Sequence, residues 1–539
     1  MKQKRLTYMK NIILPCFLLS ALTGIITGGL IFLFKIAASW VIGRSEEIYA
    51  FVRTHPVYLP LLLVGAVLLG VLTWLILRHA PHCRGGGIPT AVAILRGLIP
   101  FHWIKSIFLL FASAMMSFLV GVPLGNEGPS VQMGTAVGRG TVHVAANKHR
   151  AWDRYIMTGG ACAGFAAATG APLTGIFFAF EEAHRRFSPM IFMSAATAVV
   201  ASSTVMNALC GATGINPSLF DIRLEISLSL LHLYAVLVVG LVCGLCAVLF
   251  TKLYRAMRAL LRKGLARVPF LCQILIIFVA VSLIGVVSAA CIGSGHGLIE
   301  ELLEGHGVWY LLILYACVRA IFLIVANNVG ITGGLFVPSL AFGAILGALC
   351  ARAMIAVGIL PEEYYVIMVI VGMASFLGAS SRTPITAIMF AAEALCGFSN
   401  LLPIALGVTV AFLVIETVGL PAFNDTVIEG KVEAEHAGKT PQIVDAHFTV
   451  QPGSFAVGKE IRDILWPPTC VILSVEKSAE GKQNAEPGLS ADDILHVHYQ
   501  TYDPLRTVEL LEDLIGEQDG SNARASMHLG NEGHQVPEL

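Results

Sequence analysis

Apolar residues form long stretches along most of the chain, from residue 11 to about residue 416. Three of these stretches lie at 57–77, 228–251 and 401–415, and each approaches the roughly 20 residues that a membrane-spanning helix needs. Hydrophobic residues make up 56% of the 539 residues and charged residues only 13%, whereas soluble proteins carry about 25% charged residues. The pattern predicts an all-α protein that crosses a lipid bilayer many times.

Two motifs occur twice along the chain, in the same order. Residues 129–138 (PSVQMGTAVG) and 338–347 (PSLAFGAILG) share the pattern P-S-x-x-x-G-x-x-x-G at an offset of 209 residues. Residues 171–181 (APLTGIFFAFE) match 383–393 (TPITAIMFAAE) at an offset of 212 residues. Glycine spacing alone is common in packed membrane helices, but two motifs at nearly equal offsets indicate a duplicated membrane unit.

The repeats set the expected extent of the membrane part. We predict a transport domain at 1–435 with one repeat at about 10–250 and a second at 268–420, and a substrate site between them. A basic loop at 252–267 separates the repeats, and four basic residues precede the first apolar stretch: Lys2, Lys4, Arg5 and Lys10. Basic loops stay cytoplasmic, so we expect both termini there. This placement is compatible with two repeats of opposite orientation, which the sequence by itself does not decide.

The basic residues have two alternative interpretations. The N-terminus resembles a secretory signal peptide, but its apolar run is long, contains glycine and lacks a small-residue cleavage site, which favours a retained helix. The loop at 252–267 could bind nucleic acid, but a formal net charge of +0 provides no general attraction for that partner. We therefore expect a lipid bilayer and no nucleic acid as the protein's surroundings.

Twelve cysteines are present, and most lie inside apolar stretches. Cys243 and Cys246 have C-x-x-C spacing, but no second pair and no histidine lie near them, so we interpret them as small buried apolar residues. The histidines show no metal-binding spacing. We predict no metal, no cofactor and no enzymatic activity.

The chain changes character near residue 440, where the apolar runs shorten and alternate with polar residues. Three strands and one helix are predicted, at 443–450, 469–477, 493–500 and 503–515. They indicate a small α+β cytoplasmic domain at 441–516. The polar residues 517–539 are predicted to be disordered.

Three glycine-rich breaks interrupt the apolar stretches of the membrane part: GGGIP (85–89), GNEGP (125–129) and GGLFVP (333–338). Each contains a proline where a helix can begin, and glycine lets the backbone approach a ligand closely. The first N–H groups of a helix are unpaired and lie at the positive end of its dipole. Several such helix starts that converge in the membrane would bind a small anion without a buried cation.

Two acidic residues stand out in these segments. Glu127 lies inside the second break, where an ionised carboxylate would compete with the anion and a protonated one could leave the pathway; the alternative is a helix cap. Glu181 and Glu182 end the motif GIFFAFEE, and Glu393 occupies the repeat position of Glu181, which suggests a shared structural role for those two. Glu182 has no counterpart and is the candidate for proton handling, with a salt bridge to Arg185 or Arg186 as the alternative.

The three breaks resemble the signature loops of the CLC family of chloride channels and chloride/proton antiporters, usually GSGIP, GREGP and GxFxP, and the similarity covers roughly residues 10–435. The resemblance implies an inverted-repeat bundle of broken and re-entrant helices, a homodimer with one pore in each subunit, and a bacterial cell membrane as its location. It also implies an external gating role for Glu127 and an internal proton-transfer role for Glu182. The implied anion-binding positions are Gly86, Gly87, Asn126, Glu127, Gly128, Leu335, Phe336 and Phe423.

Three positions depart from the family pattern. Gly86 and Phe423 stand where the family usually has a serine and a tyrosine whose hydroxyls contact the anion, and Asn126 replaces the arginine of GREGP. We expect weaker discrimination among chloride, bromide and nitrate, or weaker binding of these anions, as a result. Fluoride-exporting relatives depart at the serine and arginine positions too, but they generally lack the internal glutamate.

The presence of both glutamates favours chloride/proton exchange, because family channels generally lack the internal acid. A passive voltage- or pH-gated chloride channel and a fluoride/proton antiporter are the alternatives. The C-terminal domain resembles the RCK C-terminal type attached to potassium-transport proteins, carried by GSFAVGKEIRDILWPPTCVILSVEK and GLSADDILHVHYQ. That resemblance implies either a sensor for a small ligand or a support for dimerisation.

Overall fold

The computed structural model describes residues 13–85, 87–145, 150–220, 222, 226–264, 267–478, 488–518 and 528–529. Within these residues, ten helices are long and apolar enough to cross a membrane. A small sheet follows them at the C-terminal end. The predicted fold class, a helical membrane bundle with a small α+β domain, is confirmed.

The helices fall into two series of eight with the same order of long and short members. The first series is α1 (Leu14–Thr54), α2 (Leu59–His79), α3 (Ile88–Leu95), α4 (Trp103–Val120), α5 (Glu127–Ala145), α6 (Asp153–Thr169), α7 (Pro172–Phe178) and α8 (Pro189–Thr213). The second series is α9 (Leu233–Gly264), α10 (Phe270–Val287), α11 (His296–Leu303), α12 (Trp309–Val329), α13 (Phe336–Ala356), α14 (Tyr365–Ser381), α15 (Pro384–Ala391) and α16 (Leu401–Val418). Helix α17 (Phe423–Glu435) follows both series.

The short members of each series are too short to cross a bilayer. Helices α3 and α11 have 8 residues each, which corresponds to a length of about 12 Å at 1.5 Å per residue. Their unpaired ends must therefore lie within the protein, because lipid cannot satisfy backbone polar groups. Broken and re-entrant helices, as expected from the sequence, are present in both halves.

The two halves contact each other reciprocally, as a two-fold relation requires. Gly125 N donates to Gly334 O at 2.8 Å, and Gly334 N donates to Gly125 O at 2.7 Å, as an antiparallel bridge. The same packing partners also recur, since α1 packs on α8 as α9 packs on α16. Helix α9 thus opens the second half, whereas the bounds expected from the sequence place residues 233–250 in the first half. The recurring motifs begin only at residue 129 and so leave the start of each half undefined.

Glu181 and Glu393 form a second reciprocal pair. Glu181 accepts hydrogen bonds from the N–H groups of Ile385 and Thr386 at 2.8 and 2.6 Å, at the start of α15. Glu393 accepts from the N–H groups of Leu173 and Thr174 at 2.7 and 2.8 Å, at the start of α7. Each carboxylate caps the matching helix of the other half, which confirms the shared structural role predicted for these two residues.

The C-terminal domain contains a sheet in the order β2-β3-β1-β4. Its elements are β1 (Gln442–Thr449), β2 (Val471–Glu476), β3 (Ile494–Thr501), α18 (Pro504–Ile515) and β4 (His528–Leu529). Strand β3 pairs antiparallel with β1 and β2, and the buried side chains Phe448, Leu495 and Leu511 belong to one core. Strand β4, which pairs with Val444 and Asp445, comes from the segment 517–539 that we expect to be disordered; apart from residues 517–518, the rest of that segment lies outside the described residues.

Replacing either capping glutamate should destabilise the protein to a similar extent. Glu181→Ala and Glu393→Ala each remove the acceptor of two backbone N–H groups, and a hydrogen bond to a charged group contributes about 1.5–3 kcal/mol. The measurement is reversible unfolding in a denaturing detergent. Glu416→Ala is the control, because Glu416 pairs with Arg382 on the protein's surface and such a pair contributes about 1 kcal/mol or less. Unequal losses for the two caps would contradict their equivalence.

The buried amine of Lys459 should make the stability of the C-terminal domain depend on pH. Its side chain is 4% exposed, and burial lowers the pKa of Lys459 from 10.5 to about 7, with a smaller opposing effect from Cys16. Between these two pH values the unfolded chain binds a proton that the folded chain lacks, so stability rises with pH across this window. The measurement is the protection of β1 and β3 amides from hydrogen exchange in the wild type, divided by their protection in Lys459→Met. This ratio should rise from pH 7 to pH 9. A constant ratio would contradict the prediction.

Candidate functional site

The three glycine-rich breaks meet at one point in the membrane part. A methyl group placed on Gly128 would lie 2.6 Å from Gly87 Cα and 2.7 Å from Gly334 Cα. These separations are well below van der Waals contact, so the backbones of the first, second and third breaks touch each other. Only glycine at position 128 permits this approach. The structure therefore brings together Gly87, Gly128 and the third break, as the anion-site prediction requires.

Three helices begin at this meeting point. Gly87 precedes α3, Glu127 is the first residue of α5 and Leu335 precedes α13. The leading N–H groups of each helix have no intrahelical acceptor, and each helix start carries a partial positive charge. Leu335 and Phe336 are 7% and 6% exposed, so their N–H groups face the protein interior. The arrangement suits a dehydrated anion. Gly86 lies outside the described residues.

The Glu127 side chain occupies this cluster of helix starts. The residue is 1% exposed, and its carboxylate lies against its own backbone N–H and that of Val337 in α13. Its second oxygen, Oε2, has no hydrogen-bond partner among the described residues. The carboxylate thus uses N–H groups that a bound anion would use. This geometry fits competition with an anion, and the bond to its own N–H also fits the alternative of a helix cap.

Glu182 lies in a π-helical turn, Ala179–Ala183, directly after α7. It is 9% exposed, and its Oε1 accepts a hydrogen bond from Asn424 Nδ2 in α17. The alternative role, a salt bridge to Arg185 or Arg186, does not occur among the described residues. Arg185 pairs with Asp425 at 2.6 Å instead, and Arg186 donates to a backbone carbonyl of the C-terminal domain. Glu182 is therefore a buried acid with a neutral hydrogen-bond donor.

Phe423, the first residue of α17, extends an aromatic cluster. Its ring lies 4.4 Å from that of Tyr254 and 5.4 Å from that of Phe250. The Tyr254 hydroxyl donates to Asn327 Oδ1 at 2.8 Å, so among these three rings no hydroxyl is free for an anion. Because Phe423 and Asn424 are neighbours, the start of α17 joins the aromatic cluster to the carboxylate of Glu182.

Two residues that contact Glu182 or the first break escaped the sequence analysis. Asn424 holds Glu182, and Lys431 Nζ donates to the carbonyl of Arg84, at the edge of the first break. Both belong to α17, which begins after the last long apolar stretch, and no motif marked them. The only feature of the sequence that could have indicated Asn424 is its position directly after the candidate residue Phe423.

Comparison with known proteins is consistent with this geometry. The family profile described as "Voltage gated chloride channel" matches residues 65–416. The H(+)/Cl(-) exchange transporter ClcA of Cronobacter sakazakii is 28% identical over 437 residues, which cover 80% of this chain and 92% of that relative.

Two solved structures share the fold. A slow cyanobacterial Cl-/H+ antiporter superposes with a TM-score of 0.70 at 23% identity, over 77% of this chain and 98% of that one. A CLC-type fluoride/proton antiporter superposes with a TM-score of 0.62 at 21% identity, over 74% and 95%. At these identities the likeness shows the fold alone. The C-terminal domain lies beyond the residues matched by the family profile.

Gly128→Ala should lower anion flux at least about tenfold, because the added methyl group would force apart the three helix starts, and misplaced binding groups cost of this order. The measurement is uptake of a radiolabelled anion into proteoliposomes per folded protein. Gly29→Ala is the matched control, since a methyl group on Gly29 meets nothing within 4 Å. Normal flux in the Gly128 variant would show that the close approach of the breaks is dispensable.

Proposed function

The chain belongs to the voltage-gated chloride channel (CLC) family, and from this premise we propose that it is a secondary active transporter, not an enzyme, that exchanges chloride for protons. The observation that carries the proposal is the pair of buried acids. Glu127 lies at the anion-binding helix starts, and Glu182 lies at a separate point, held by Asn424. A passive pore needs no second buried acid, whereas coupled exchange needs a proton path apart from the anion path.

The proposed mechanism follows from the competition at the helix starts. When Glu127 is ionised, its carboxylate holds the N–H groups of α5 and α13 and blocks the anion. When it is protonated, it loses its attraction to those groups and an anion replaces it. Binding by several partial charges permits release as well as entry, a property that conduction requires. Protonation of Glu127 and anion binding are therefore coupled.

Glu182 supplies protons from the other end of the pathway in this proposal. Its burial leaves it shielded from the bulk solvent, and Asn424 orients its carboxylate without neutralising it. Intramembrane acids of this kind mark proton relays in transporters. Arg96, which lies nearby, bonds to the backbone carbonyl of Glu182 rather than to its side chain, so the carboxylate stays available to accept and release a proton.

The selectivity of the site should depend on backbone groups. Phe423 carries no hydroxyl, and the Tyr254 hydroxyl beside it is already bonded to Asn327. A site that lacks side-chain donors discriminates anions by size and hydration more than by specific hydrogen bonds. We propose chloride as the transported anion, with bromide and nitrate also accepted. Fluoride is the alternative anion.

The assembly and setting are part of the same proposal. We propose a homodimer in a bacterial cell membrane, with both termini in the cytoplasm. We also propose that the RCK-like C-terminal domain binds a small regulatory ligand or supports the dimer.

A flux assay with two variants tests the exchange mechanism. In proteoliposomes, a chloride gradient should drive protons uphill in the wild type. Glu182→Gln should lower proton flux at least tenfold while chloride still moves, because Gln cannot carry the proton. Glu127→Gln should also abolish proton flux, because it mimics the permanently protonated gate. Glu181→Gln is the matched control, because Glu181 is adjacent to Glu182 but caps helix α15, and Gln retains an oxygen that can accept the same hydrogen bonds.

The outcomes separate the candidate functions. Chloride movement without any proton movement in the wild type would mean a passive channel, and the role of Glu182 would be wrong. Proton movement driven by fluoride but not by chloride would identify the fluoride alternative. Retention of coupling in Glu182→Gln would place the internal proton carrier elsewhere.

A further inference from the structure

One short segment of the C-terminal domain lies directly on the membrane part. This docking segment comprises residues 461–468, a 3-10 turn (Ile461–Asp463) followed by extended chain. The Tyr155 hydroxyl, at the start of α6, donates to Asp463 O and accepts from Leu465 N, both at 2.9 Å. Tyr155 is fully buried. One hydroxyl therefore binds the docking segment both as donor and as acceptor.

Arg154 connects the docking segment to helix α3. Its Nη1 donates to Leu465 O at 3.0 Å and to Trp466 O at 2.6 Å. Its Nε donates to Leu95 O, at the end of α3, at 2.8 Å. The planar guanidinium has several N–H donors in a fixed arrangement, so one side chain can bind carbonyls of two segments at once. The docking segment and the end of α3 are therefore held in a fixed relation.

The next residue after Leu95 reaches the turn that carries Glu182. Arg96 Nη2 donates to Glu182 O and its Nε donates to Ala183 O, each at 2.9 Å. Both carbonyls belong to the π-helical turn Ala179–Ala183. π-helical turns are rare and frequent at functional sites. Arg96 holds two carbonyls of this turn, and Arg154 connects the end of α3, next to Arg96, to the C-terminal domain.

A second route joins the docking segment to the chain just after Glu182. Arg186 donates to Ile464 O at 2.7 Å, and Ser188 Oγ donates to Asp463 O at 3.3 Å. The equivalent turn of the other half, Ala392–Cys396, has no hydrogen bond to the C-terminal domain among the described residues. The docking segment therefore contacts the surroundings of one of the two matching turns, the one that contains the internal acid.

We infer that the docking segment 461–468 is a positioning element for Glu182, so that undocking of the C-terminal domain lowers proton transfer while anion movement continues. The inference rests on the proposed exchange function. Its physical reason is that Arg186 and Ser188, within six residues of Glu182, bind the segment directly, and that Arg154 links it through the end of α3 to Arg96, which holds the carbonyls of Glu182 and Ala183. Among the described residues, the segment has no hydrogen bond to Gly87, Gly128 or Gly334 at the meeting point. The C-terminal domain would then set the coupling between protons and anions.

A double variant of the full chain tests this inference. Tyr155→Phe with Arg186→Met removes three hydrogen bonds to the docking segment, because neither new side chain can donate or accept them. The control is Tyr49→Phe with Arg352→Met, because the buried Tyr49 hydroxyl contacts Val120 O at 2.6 Å and Ser282 Oγ at 3.3 Å, and Arg352 donates to Gly305 O at 2.7 Å. Each pair loses three hydrogen-bond contacts, but only the first pair contacts the docking segment.

Two quantities are measured for each variant. Hydrogen exchange of the amides of residues 461–466 should become at least tenfold faster in the test variant and stay near the wild-type rate in the control. Proton flux per chloride should fall at least threefold in the test variant, with chloride flux within twofold of wild type. Arg186→Lys in place of Arg186→Met retains a donor for Ile464 O and should restore part of the coupling.

Several results would overturn the inference. Faster exchange with unchanged coupling would show that the docked segment does not position Glu182. Unchanged exchange and unchanged coupling would show that these bonds do not hold the segment. An equal loss of proton and chloride flux would indicate general destabilisation. Absence of proton flux in the wild type would instead reject the proposed exchange function, so the two failures remain distinguishable.

Discussion

Backbone N–H groups at buried helix starts are the constraint on which the rest of the site depends. Neither lipid nor bulk water can satisfy them inside the membrane part, and each unsatisfied group costs several kcal/mol. Here the starts of α3, α5 and α13 converge where Gly128 touches Gly87 and Gly334. Their N–H groups need an acceptor, which is either the Glu127 carboxylate or an anion. The unpaired N–H groups therefore create a binding site for a negatively charged acceptor, and the glycines allow three helix starts to approach the same point.

The two-fold relation between the halves builds this convergence, but it does not produce the acids. The reciprocal bonds of Gly125 with Gly334, and the crossed caps by Glu181 and Glu393, treat the halves equally. The position that matches Glu127 is Phe336, and the position that matches Glu182 is Ala394. A symmetric scaffold thus carries two acids that occur once each. In the proposed mechanism, the symmetric helix starts supply the anion site, and the two acids that depart from the symmetry supply the proton chemistry.

Much of this arrangement could be predicted from the sequence, because its signals are local or repeated. Apolar runs identified the membrane helices, the recurring motifs identified the halves, and the shared position of Glu181 and Glu393 predicted their common role. The bond from Asn424 to Glu182 spans 242 residues and the bond from Arg154 to Leu465 spans 311. Periodicity extends over one helix or strand pair and carries no information at such separations. Only the folded chain shows that α17 bonds to Glu182 and that the docking segment bonds to residues around it.

The C-terminal domain adds a further asymmetry at the same place. A soluble domain attached to a two-fold scaffold could contact the turns after α7 and α15 alike, since both are π-helical and both follow a capped short helix. Its hydrogen bonds go to the surroundings of the first turn, through Tyr155, Arg154 and Arg186. That turn carries Glu182, whereas the second carries Ala394. The turn that carries the acid is therefore also the turn whose surroundings bind the C-terminal domain. Docking of the domain can for this reason affect the proposed proton transfer by Glu182 without a direct hydrogen bond, in the described part of the chain, to the helix starts of the proposed anion site.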